Sequence, residues 1–143
     1  MQGSIDTVER NVAVINNWLK DTSEELGGIG QDEAWSRLRA VLQTIRDRIT
    51  TDEAAHFAAQ LPIIARGVFF EGWHPADSPQ TWRDRDEYLQ AIDDKINTNQ
   101  QPGVDAEETL KAVLRVIVRH IDAGEVKKIK EMHPKEMWDL WPN

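Results

Sequence analysis

Residues 38–62 return without a gap as residues 110–134, a shift of 72 positions, and this repeat constrains the fold more than any other feature. Leu38, Ala40, Val41, Leu42, Ile45, Ile49, Glu53 and Pro62 recur as Leu110, Ala112, Val113, Leu114, Ile117, Ile121, Glu125 and Pro134. Average composition predicts roughly two coincidences over such a stretch. Six of the pairs are apolar, and two unrelated amphipathic helices can share several of those. The Glu53/Glu125 and Pro62/Pro134 pairs are harder to obtain that way, because they fall at matching helix starts. The repeat therefore predicts a duplicated helical unit.

Every long segment repeats its apolar residues at 3.6 rather than 2 positions, the signature of helices. Ile5, Val8, Val12, Ile15, Leu19 and Leu26 form one stripe, extended by Trp18, with Asp6 and Glu9 as its predicted capping box and Gly27-Gly28 as its stop. A second helix is expected from about Asp32 to Ile49, with Arg37, Arg39, Arg46, Asp47 and Arg48 mostly off its stripe. Thr50 with Glu53 then caps a short helix through Phe57 and Leu61, and Pro62 suits the first turn of a fourth. Asp84 with Glu87, Asp105 with Glu108 and Asp122 with Glu125 predict three further capping boxes. Asn97–Gly103 reads as a loop, and Pro134 opens the last turns toward Trp138, Leu140 and Trp141. The expected fold is an all-α single domain spanning 1–143, of about eight helices counting short ones. Helical unit one spans 5–72, a connecting turn 73–83, and unit two 84–142, with 38–49 and 110–121 packed at the centre of one shared core.

Composition narrows the chemistry. The 143 residues include no cysteine, which removes disulfides, thiolate metal sites and cysteine nucleophiles. No apolar run approaches the roughly 20 residues of a membrane span, and the N-terminus shows no basic–apolar leader, so a cytoplasmic address and no membrane partner are expected. Glu53-Ala54-Ala55-His56 has the Glu-x-x-His spacing of di-iron helix bundles, but such sites need the motif twice. Lys128 stands where the second histidine is required. His120 and His133 follow no metal spacing and are expected to satisfy carbonyls at helix ends. No serine lies in a nucleophile elbow, and Gly27-Gly28-Ile29-Gly30 follows a helix with no Lys-Ser/Thr after it. Hence no metal, no cofactor and no catalytic residues are expected.

Two surfaces remain besides the first-helix stripe, which is expected to pack internally, with pairing to its own copy in a homodimer as the alternative. Arg66, Phe70, Glu71, Trp73, His74 and Trp82 place aromatic area, both charge signs and an imidazole around the connecting turn, and Trp and Arg dominate binding hot spots. Alternatively, Trp73 and Trp82 seal the junction between the units while Pro75 and Pro79 fix its turn. The second surface is electrostatic. The net charge is −8, yet residues 110–135 hold seven basic and three acidic side chains, so that segment is +4 and the rest −12. Such asymmetry can steer an acidic partner, draw two copies together, or mark only a solvated helix face.

The runs Leu38-Arg39-Ala40-Val41-Leu42, Arg46-Asp47-Arg48, Glu53-Ala54-Ala55-His56 and Ala59-Gln60-Leu61-Pro62, followed by Arg66-Gly67-Val68-Phe69-Phe70-Glu71-Gly72-Trp73-His74-Pro75, resemble a bacterial family, the domain of unknown function numbered 2267. Trp18-Leu19-Lys20, Glu24-Glu25-Leu26-Gly27 and Asp139-Leu140-Trp141-Pro142 are similar as well. The resemblance implies a small all-helical protein with no assigned activity, and therefore no catalytic residues to carry over. Phe69-Phe70 replaces the tyrosines usual in that family, which removes any role for a phenolic hydroxyl there. The leading expectation is a non-enzymatic cytoplasmic interaction module that binds another protein or itself. A small-ligand-binding or enzymatic domain using the Arg66–His74 surface is the alternative, and weak nucleic-acid contact through 110–135 is the third.

Overall fold

The computed structural model describes residues 2–96 and 104–142, the first four by backbone alone. The stretch Asn97–Gly103 and the side chain of Ile5 lie outside the described residues. Among the described residues seven α-helices form: α1 (Gln2–Glu25), α2 (Gln31–Arg48), α3 (Thr51–Gln60), α4 (Ile63–Phe70), α5 (Arg85–Lys95), α6 (Ala106–His120) and α7 (Ala123–Glu131). Two 3-10 segments, Pro75–Asp77 and Lys135–Leu140, complete the order, and no β-strand occurs among the described residues. None of these helices is long and apolar enough to cross a membrane.

α2 and α6 pack against each other and hold the centre. α1 and α5 lie against both, and α4 leans on α1 and α2. Leu38, Val41, Leu42, Ile45 and Ile49 from the first, and Leu110, Val113, Leu114, Ile117 and Ile121 from the second, share one buried cluster. A second layer is made where α3 meets α7. The corners are abrupt for a local reason. Ile49 and Ile121 are extended, and the residue after each caps the next helix: Thr50 accepts from the Glu53 amide and Asp122 from those of Gly124 and Glu125. Asp84 and Asp105 cap α5 and α6 in the same way. Asp105→Ala should therefore cost on the order of 1 kcal/mol, and Asp105→Asn much less, in chemical denaturation. Equal losses for both would assign the effect to charge rather than to the cap.

Four expectations change. Asp6 does not begin α1, which starts at Gln2 and continues through Asp6 without a break; helical propensity carries the apolar stripe past that aspartate. The stripe itself is only half used: Ile15, Trp18 and Leu19 are buried, whereas Val8 and Val12 are 62% and 43% exposed, with no described residue covering them. Arg37 and Arg46 are buried instead of lying outside, since α2 is surrounded by four helices and has little free face. Finally, the glutamates at 53 and 125 do not reach back to close capping boxes. Each is buried to 6% exposure, and the Oε2 atom of each lacks a hydrogen-bond donor. The arrival of α7 beside α3 turns both side chains inward. The reciprocating glutamate is found instead at α2, where Glu33 Oε1 accepts from the Gly30 amide at 3.4 Å.

Contacts across α3 and α7 repeat at the 72-residue shift. Gln60 Oε1 accepts from the Asp122 amide at 3.0 Å, while Thr50 Oγ1 lies 4.0 Å from Met132 Sδ. Thus the cap of each helix meets the residue at the end of the other. Arg66 donates to the Leu61 carbonyl at 3.1 Å, and Trp138, 72 positions on, donates to the His133 carbonyl at 2.9 Å.

Candidate functional site

The connecting turn is fastened to the end of α2. Arg46 donates to the carbonyls of Phe69 and Glu71, Arg48 donates to that of Trp82, and the Gln80 amide donates to the Asp47 carbonyl. The six hinge residues divide between these ties and solvent. The Arg66 guanidinium is committed to the carbonyls of Ala58, Ala59 and Leu61, where it closes the last turn of α3. Phe70 and Trp73 are half-buried with ring centroids 5.3 Å apart, and Trp73 Nε1 donates to Ser78 Oγ. Trp82 packs edge-on to Tyr88 at 5.9 Å. Glu71 and His74 are exposed. Arg66 thus points back along α3, and Trp82 belongs with α5, lining a shallow cleft with Glu87, Gln90 and Lys95. The hinge side chains brought together are Phe70 and Trp73.

Two of the four histidines, His133 and His120, are tied into the fold. His133 Nδ1 lies 2.7 Å from the Ile129 carbonyl, which requires the proton on Nδ1 and leaves Nε2 to accept from the Tyr88 hydroxyl at 2.9 Å. Burial lowers the His133 pKa to about 4 and raises that of Tyr88. His120 does not satisfy a carbonyl as expected. It stacks on Trp18 with centroids 4.7 Å apart and meets Asp21 Oδ2 at 2.8 Å, because α1 lies alongside α6 there. His56 is an exposed side chain, 3.9 Å from Glu53 Oε2. Among the described residues, no three His, Asp or Glu side chains gather as a metal ion would need.

A more complete cavity lies on the opposite end of the chain. Val118 of α6, Ala123 and Val126 of α7, Trp138 and Pro142 form an apolar cleft of about 370 Å³, with Lys127, Lys130 and Glu131 at its rim. The Trp138 indole in its lining is fixed through Nε1 to the His133 carbonyl. The ammonium groups of Lys130 and Lys135 sit 5.9 and 5.8 Å from the Trp138 ring centroid, within cation–π range.

The rim is basic for a reason that the sequence charge count conceals. Arg115 and Arg119 are paired with Glu25, Arg119 also with Asp21, and Lys111 with Glu107, so the α6 half of the basic segment is neutralised by neighbours. Among the described residues, no ion pair involves Lys127, Lys128, Lys130 or Lys135. Of these, Lys127 and Lys130 line the apolar cleft together with Glu131, and Lys135 lies over the ring of Trp138. Trp138 was readable only as a residue of the last turns, and its distance from α7 depends on the His133–Pro134 corner, which no local pattern specifies.

The family model described as "Uncharacterized conserved protein (DUF2267)" matches residues 15–140. No curated protein matches the chain. The matched range begins at Ile15, the first buried residue of α1 among those described, and ends at Leu140, so it takes in the core except Trp141 and the cleft lining except Pro142. The chain belongs to the DUF2267 family.

Proposed function

We propose that the protein is a non-enzymatic cytoplasmic interaction module, built by tandem duplication of a helical unit. Its recognition surface is the cleft between α6, α7 and the Lys135–Leu140 segment. The occupant is an acidic segment of a partner protein carrying one large apolar anchor. The observation that carries this reading is an apolar cleft lined by Trp138, with Lys127 and Lys130 free of ion pairs beside Glu131, in a chain of net charge −8. Charge complementarity selects an acidic occupant, because unpaired ammonium groups beside apolar surface favour carboxylates next to the anchor. The open cleft of about 370 Å³ suits one or two anchoring side chains.

Several observations favour this surface over the others. At the hinge, Arg66 is spent on helix carbonyls and Trp73 on Ser78, while Glu71 and His74 are exposed. A nucleic-acid track would need continuous cations, yet Arg115 and Arg119 are held by α1. The reciprocal contacts of α3 with α7 at a shift of 72 support the duplication.

Selection from a library of random short displayed peptides tests the proposal. Enriched peptides should be acidic with a conserved large apolar residue, and should lose binding to a Lys127→Glu/Lys130→Glu variant while retaining it toward Trp73→Ala. Enrichment of basic peptides, or equal binding by the charge-reversed variant, would reject it. Lys127- and Lys130-dependent dimerisation in sedimentation, without peptide enrichment, would make a second copy the occupant instead.

A further inference from the structure

Two buried glutamates that no part of the cleft uses carry a second conclusion. Glu53 of α3 and Glu125 of α7 stand 72 positions apart in sequence on helices that pack together, each 6% exposed, and the Glu53 carboxyl is near enough to raise the pKa of Glu125. Ionised carboxylates only accept hydrogen bonds, so two of them in contact cannot satisfy one another. Both Oε2 atoms are buried and neither has a donor among protein groups. A single proton placed between them supplies the missing donor to both and removes one of two like charges from a dry interface.

We infer that Glu53 and Glu125 hold one shared proton that bolts α3 to α7, and that its loss at rising pH loosens this joint. The surroundings offer little other compensation. On α3, His56 Nδ1 is 3.9 Å from Glu53 Oε2 but its ring is exposed. On α7 and its cap, Lys128 favours the ionised form of Glu125 and Asp122 opposes it. From α4, Arg66 is bound to the carbonyls at the far end of α3. From α6, Arg119 and His120 are paired with acids of α1. From the Lys135–Leu140 segment, Lys135 faces Trp138, and Glu136 accepts from the Arg85 amide.

Burial first, and the neighbouring Glu53 second, raise the Glu125 pKa from 4.5 to about 7. Between those values the folded chain binds more protons than the unfolded chain. The stabilisation is therefore complete below about 4.5 and is lost as pH rises through about 7. His133 acts in the opposite sense. Its pKa is lowered from 6.5 to about 4, so its contribution is present above 6.5 and fades as pH falls toward 4. The two partly cancel in the wild-type profile, and a difference measurement is needed.

Thermal unfolding of wild type, Glu125→Gln and Glu53→Gln from pH 5 to pH 8 provides it. Each Gln variant keeps the side-chain volume and brings its own donor. The melting temperature of each, relative to wild type, should rise by several degrees across that range. A His56→Gln variant should follow wild type. A pH-independent difference for both Gln variants, or loss of the wild-type trend in His56→Gln, would overturn the inference. The reading also has a direct test that needs no substitution. Glutamate side-chain carboxyl carbons in the wild-type protein should include that of Glu125 titrating near neutrality, with the Glu53 carbon sensing the same step. Independent, ordinary titration of every glutamate would exclude a shared proton.

Discussion

Leu42→Ala and Leu114→Ala should each destabilise the protein by about 2–5 kcal/mol, the usual range for emptying a fully enclosed leucine site. Both side chains are 0% exposed, at the same turn of the two central helices. Each is enclosed by helices that the other also contacts, because α2 and α6 share α1 and α5 as neighbours. Neither site can collapse readily, since the surrounding positions are themselves interior residues such as Val41, Ile45, Val113 and Ile117. The expected result is one cooperative urea transition shifted to lower midpoint in both variants, with unchanged slope. Two transitions, with only one moved by each substitution, would mean two independent half-cores instead of one. Losses below half a kcal/mol in both would contradict the central packing altogether.

Arg46→Met should cost about 3 kcal/mol through a different mechanism. Arg46 is 5% exposed, and its guanidinium donates to the carbonyls of Phe69 at 3.0 Å and Glu71 at 2.8 Å, while its Nε donates to Asp47 at 2.8 Å. Carbonyls at a helix C-terminus lack intrahelical donors. Here α2 supplies them, with Gln43 adding a donor to the Val68 carbonyl at 2.9 Å. Methionine fills comparable volume but leaves the Phe69 and Glu71 carbonyls without this donor. Arg46→Lys should recover only part of the loss, since an ammonium cannot span both carbonyls and Asp47 as the planar fork does. Equal stability of Arg46→Met and wild type would show that water replaces the arginine at no cost. Because the same residue fastens the connecting turn, hydrogen exchange around Glu71–Gln80 should rise in Arg46→Met.

Much of the architecture was legible because it rests on local chemistry. The stripes of α2 and α6, the caps at Thr50, Asp84, Asp105 and Asp122, and the prolines at 62 and 134 each specify structure from a few neighbouring residues. The errors arose where a distant element decided the outcome. A glutamate three residues after a cap can return to the backbone or turn inward, and Glu53 and Glu125 turn inward because two helices meet there. Arg37 and Arg46 read as surface positions on an isolated helix, whereas α2 is enclosed by α1, α4, α5 and α6. Periodicity continued the α1 stripe to Val8 although no described residue covers it there.

The hinge illustrates a related limit. Arg66, Phe70, Glu71, Trp73, His74 and Trp82 have the composition of a binding surface, but composition does not reveal which side chains are already engaged. Arg66 closes a helix end and Trp82 sits against Tyr88. For the cleft, the net +4 of residues 110–135 was visible, whereas the pairing of Arg115 and Arg119 with acids of α1 was not, being a contact across some 90 positions. That pairing is what turns a diffuse basic segment into a localised one.

The six tryptophans allow the proposed recognition surface to be examined in one spectrum, since each indole N–H gives its own resonance. Titrating an acidic, apolar-anchored peptide from the display selection into labelled wild-type protein should move the Trp138 indole signal together with the amides of Val126, Lys127 and Lys130. The Trp73 and Trp82 signals should stay in place. Movement of Trp73 and Trp82 with Trp138 unchanged would place binding at the connecting turn and contradict the assignment of the cleft.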